Sequence, residues 1–81
     1  MGNRKEDLRR GDEAKLILNN PLYKEAFGTV RTRLTDELLS TEYEEGNERD
    51  GYYMAIKALE LIEGYLESVL ATGKFAEKGQ Y

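Results

Sequence analysis

The 81-residue sequence predicts an all-α protein: an antiparallel helical hairpin with a short N-terminal helix, completed into a helical bundle by self-association. Three observations predict it. Apolar residues recur every three to four positions from Pro21 onward; Asn19-Asn20-Pro21 and the stretch 42–50 interrupt that period; and the last segment is apolar over a wider arc than one neighbouring helix can cover.

Residues 4–19 read as a short helix, with Leu8, Ala14, Leu16, Ile17 and Leu18 among charged residues. Gly11 falls inside it, and a glycine in a helix interior costs about 1 kcal/mol, so a break or kink is expected there. Asn20 is a good N-cap and Pro21 suits the first helical position, where its missing N–H is of no consequence, so a second helix is expected over 21–41. Its apolar stripe is Tyr23, Phe27, Val30, Leu34 and Leu38, with Leu22, Ala26 and Leu39 beside it. The charged stretch 42–50 reads as a loop, and Asp50 caps a third helix over 51–72. That helix carries Tyr52, Ile56, Leu59, Ile62, Leu66, Val69 and Leu70 on one side and Met54, Ala58, Leu61 and Tyr65 on a neighbouring side. Gly73 is expected to close it, leaving 73–81 as a tail, and Gly64, in mid-helix, to mark a close backbone approach. The whole is a single domain, 1–81.

A domain this small needs reinforcement, and with no Cys and no His neither disulfides nor the commonest metal ligands supply it. Self-association is the remaining route, and Met54, Ala58, Leu61 and Tyr65 are the expected oligomer interface of a homo-oligomer. No apolar run approaches the roughly 18 to 20 residues that span a bilayer, so no membrane partner is expected and the cytoplasm is the expected location. The net charge of −4 is unevenly placed: residues 1–33 carry eight Lys/Arg against five Asp/Glu, residues 34–81 four against eleven. The two parts are electrostatically complementary, within or between subunits.

Without His or Cys, and with Ser40 and Ser68 in no nucleophile motif, no catalytic residue is expected and the protein is read as a non-enzyme that acts by binding. Glu60, Glu63 and Glu67 share a helical face, as in magnesium-dependent all-α nucleotide pyrophosphohydrolases. The second acidic pair such enzymes need falls only at Glu42 and Glu45, in the expected loop, so a solvated face explains these residues better. The acidic stretch 44–51 lacks the register of a calcium loop and contains Arg49. No metal and no cofactor are expected. A small nucleotide ligand would find Lys24, Arg31, Arg33 and Lys57 for its phosphates and Tyr52 and Tyr53 for its base, although pairing of these cations with Asp36, Glu37 or Glu63 across the hairpin explains them better. Extended duplex DNA is disfavoured by the overall acidity, Arg4, Lys5, Arg9 and Arg10 being the one local exception.

Two segments, Asn20-Pro21-Leu22-Tyr23-Lys24-Glu25-Ala26-Phe27 and Leu66-Glu67-Ser68-Val69-Leu70-Ala71-Thr72-Gly73-Lys74-Phe75-Ala76, resemble a group of small helical-hairpin proteins encoded by tailed bacteriophages, over about Asp12 to Lys78. The resemblance implies a phage origin, expression in the host cytoplasm and one of two roles. One is counter-defence, as a homo-oligomer that sequesters a host nucleotide immune signal in pockets between subunits. The other is virion assembly, as a structural or DNA-packaging accessory subunit that binds a phage or host protein. It transfers no binding or catalytic residues.

Overall fold

A computed structural model describes residues 3–42 and 45–79. Among these the chain is wholly helical, in the order α1 (Arg4–Asn19), α2 (Pro21–Ser40) and α3 (Gly46–Lys78).

The break between α1 and α2 follows from local chemistry. Asn20 has extended backbone angles, and its side-chain oxygen accepts hydrogen bonds from the N–H groups of Leu22 and Tyr23 at 2.9 and 3.0 Å. Pro21 then occupies the first helical position. The Asn3 side chain does the same for α1, accepting from the Glu6 N–H at 3.2 Å. At its start α3 lacks a side-chain cap, and it ends where Gly79 takes the left-handed conformation (φ 70°), its N–H returning to the Ala76 carbonyl at 3.0 Å.

Both α1 and α2 run antiparallel to α3, one after the other along its length. Arg4 Nε donates to the Ala76 carbonyl at 2.9 Å and Arg10 reaches the Tyr65 hydroxyl at 3.2 Å, so α1 covers the C-terminal half of α3. Arg31 pairs with Glu63, and the Glu37 carboxylate lies against Tyr52, so α2 covers the N-terminal half. One arm of the hairpin is thus a helix broken at Asn20, and the other is a single helix of 33 residues. The result is a flat slab of 54 × 27 × 14 Å, one layer thick.

Several expectations about boundaries and glycines are corrected. The third helix begins at Gly46 rather than 51 and ends at Lys78 rather than 72, so the connection is shorter than 42–50; its residues 43 and 44 lie outside the described ones. The calcium-loop segment 44–51 is accordingly part of α3 from Gly46 on. Gly11 neither breaks nor bounds α1, and Gly73 does not close α3, because the two glycines pack against each other: a Cβ built on either would lie 2.8 Å from the other's Cα. Close approach is therefore here and not at Gly64, around which the chain leaves open space.

An arm one helix wide buries little. Among the described residues the buried hydrophobic side chains are Ala14 and Ala76, at 2% and 0% exposure, both beside the glycine crossing. The stripe Tyr23, Phe27, Leu34 and Leu38 is only half-buried against α3, with the Tyr23 and Phe27 rings 4.5 Å apart. The Tyr23 hydroxyl is buried there with no hydrogen-bond partner among the described residues. Burial, and then the Glu63 and Glu67 charges, push its pKa up.

Two predictions follow from this packing. Gly11→Ala or Gly73→Ala should lower stability by about 1 to 3 kcal/mol, as overpacking does, whereas Gly28→Ala, into open space on the α2 surface, should raise it by about 0.5 to 1 kcal/mol. Urea denaturation at one protein concentration measures both. Tyr23→Phe removes an unsatisfied hydroxyl and should leave stability unchanged or raise it by up to about 1 kcal/mol; a loss of that size would mean the hydroxyl has a partner.

Candidate functional site

The arrangement of charge on α3 singles out one of its flanks. Successive residues of a helix turn by about 100°, so residues seven apart nearly align. The line Tyr52, Leu59, Leu66, Gly73 faces the other arm. On one side of that line lie the rows Ala55-Ile62-Val69-Ala76, Gly51-Ala58-Tyr65-Thr72 and Met54-Leu61-Ser68-Phe75, which contain no charged residue. Lys57, Glu60, Glu63, Glu67, Lys74, Glu77 and Lys78 all fall in the rows on the opposite side. The uncharged flank also carries an unbroken stripe, Met54, Ala58, Leu61, Tyr65, Ser68, Thr72, Phe75, in which steps of four and three alternate. That is the spacing of a helix-pairing seam.

The structure leaves this stripe uncovered. Met54 is 69% exposed, Leu61 75% and Tyr65 62%, and Ala58 is exposed as well. Ile17 of α1 shares a cleft with Tyr65, Leu66 and Val69, together with Arg10 and Glu13, which places this part of α1 on the same face of the slab. By the same helical phase, Leu22, Ala26, Val30, Arg33 and Glu37 of α2 belong to that face, with Leu22 at 69% exposure. A second open cleft of about 190 Å³ lies alongside, lined by Asp7, Arg10, Tyr65, Ser68, Val69 and Thr72.

Of the expected ligand residues, Lys57 and Tyr53 are brought together, but the six do not gather at one site. Arg31 is engaged by Glu63 on the charged face. Lys57 sits at the outer edge of α3, its ammonium 3.3 Å from Glu60 and 5.6 Å from the centre of the Tyr53 ring, and the Glu60 hydrogen bond and charge push its pKa up. Tyr52 faces α2, where the Glu37 charge, then burial, raises its hydroxyl pKa. Lys24 and Arg33 are exposed and lie on opposite flanks of α2. The clefts beside α1 are lined by other residues.

Glu60, Glu63 and Glu67 line one side of α3, two of them already paired with cations. Among the described residues no group of three acidic side chains is close enough to hold a metal ion. No described helix is long and apolar enough to cross a membrane.

The sequence reading missed Arg10, Ile17, Glu37 and Ile62 as members of this face. Their signal was present in the sevenfold rows of α3, and in α1 and α2 only once the helices had been placed.

The chain matches no protein-family model, no curated protein and no solved structure.

Arg31 and Glu63 are about two-fifths and one-third exposed, so solvent screens their attraction. Glu63→Gln should cost less than about 1 kcal/mol in urea denaturation. A larger loss would mark the pair as a principal link between α2 and α3.

Proposed function

We propose that this protein is a non-enzymatic, self-associating accessory protein that acts by binding, with the slab face that carries the uncharged flank of α3 as its working surface. The observation that carries the reading is the near absence of an interior. A chain whose buried hydrophobic side chains, among the described residues, are two alanines, while Leu22, Met54, Leu61 and Tyr65 stand exposed on one face and Leu16 and Leu39 off it, has left much apolar surface for a second body to cover.

Of the two roles implied by the phage resemblance, a structural or assembly factor that works through helical faces is the better supported. Its only requirement is an extended apolar surface, which the slab provides. Sequestration of a nucleotide signal needs cations and aromatic rings gathered at one pocket, and the six residues expected for that task are distributed over both faces and one edge.

Native mass spectrometry and sedimentation equilibrium of the purified protein test this. The expected result is an oligomer at micromolar concentration, without bound small molecules and unaffected by added nucleotides. A helical monomer at that concentration would overturn self-association. An oligomer carrying a few hundred daltons of extra mass at each site would transfer the assignment to the nucleotide role.

A further inference from the structure

We infer that the slab face carrying the uncharged flank of α3 binds a second copy of this chain about a two-fold axis perpendicular to the helices, so that α3 lies antiparallel on the partner's α3 and the broken arm on the partner's broken arm. The inference rests on the self-association proposed above and specifies its geometry.

Size is the first argument. The face is 54 Å long and 27 Å wide, ample for the roughly 800 Å² per partner of a standard stable interface. Charge is the second, and it selects the axis. Two slabs stacked face to face can be related by a two-fold axis running either along the helices or across them. An axis along the helices sets α3 on the partner's broken arm, so Arg10, Glu13, Arg33 and Glu37 would meet a surface with no charge from Gly51 to Ala76 and lose water without gaining partners. An axis across the helices sets the uncharged seam on itself.

The register follows from the slab's own geometry. With the axis near the middle of α3, about residue 63, seam residues meet in pairs: Leu61 with the partner's Tyr65, Ala58 with the partner's Ser68, and Met54 with the partner's Thr72. On the other arm, the Gly11–Gly73 crossing puts Glu13 beside the C-terminal half of α3, near residue 71, and the approach of Glu37 to Tyr52 puts Arg33 beside the N-terminal half, near residue 56, so the two lie about equally far from that axis. The two-fold therefore brings Glu13 to the partner's Arg33, and Arg10 to the partner's Glu37. Opposite charges meet at both positions, with Ile17 and Val30 between them. Arg33 has no ion-pair partner among the described residues of its own chain; the partner's Glu13, which in its own chain holds Arg9 on the solvent side, supplies one.

Charge reversal tests the register. Arg33→Glu and Glu13→Arg should each weaken self-association about tenfold or more, measured by sedimentation equilibrium with circular dichroism as a check on helicity; the double reversal should restore it. Leu61→Asp, at a position exposed within the chain, should abolish association while the helices remain. The chain contains no Cys, so Met54→Cys mixed with Thr72→Cys should form an intersubunit disulfide that neither variant forms alone. If Met54→Cys instead joins to itself, the antiparallel register is wrong. Association unaffected by Leu61→Asp and Arg33→Glu would remove this face while leaving self-association standing, whereas a monomeric unsubstituted protein would remove both.

Discussion

The spacing between the two arms is set where α1 lies on α3, because Gly11 and Gly73 meet with so little room that a Cβ on either would come within 2.8 Å of the other's backbone. At that separation the small side chains Ala14 and Ala76 are enough to seal the junction, and Arg4 can reach the Ala76 carbonyl. Larger residues at the crossing would force α1 away and break both contacts. Gly73 costs α3 conformational entropy, and the helix nevertheless continues through it for another turn and a half to Lys78, because the close backbone contact offsets that cost.

That crossing would align only half of α3 if the other arm were a straight helix. The Asn20-Pro21 break lets α1 settle at the crossing while α2 takes its own course along the N-terminal half of α3. Asn20 makes the break inexpensive, since its side chain satisfies two of the N–H groups that a helix start leaves open. Arg31 and Glu63 then join α2 to α3 from the charged side, and Glu37 approaches Tyr52 nearer the loop. The hairpin is therefore closed by small residues at one end and by polar contacts at the other, with only a thin apolar seam between.

How far this was legible in the sequence depended on whether the signal was local. The Asn20-Pro21 restart is local chemistry, and the helical class and its break could be read from it together with the apolar period. The ends of α3 could not. A glycine that stops a helix and a glycine that admits a neighbouring backbone look alike until the neighbour is known, and for Gly73 the neighbour is Gly11, 62 positions away in the chain. The acidic stretch before Gly51 reads as loop by composition, yet the segment from Gly46 is helical. On the candidate face, Met54, Ala58, Leu61 and Tyr65 were visible because α3 alone defines their row. Arg10 and Glu37 were not, since which way α1 and α2 present them depends on where the arms dock.

The sorting of charge on α3 links fold to function. A helix that merely needed to be soluble could scatter its charges around every surface not facing the other arm. Here they are confined to one side, where Glu63 and Glu60 hold Arg31 and Lys57, while the opposite side carries none from Gly51 to Ala76. Exposed leucine, methionine and tyrosine on that side gain nothing from water. Covering them adds apolar burial that the single layer cannot provide from its own residues, so folding stability and association draw on the same surface. Under the proposed self-association, stability would rise with protein concentration, because whatever binds only the folded form stabilises it. The device that makes the monomer weak, a hairpin one layer thick, is then what makes its face available to a partner.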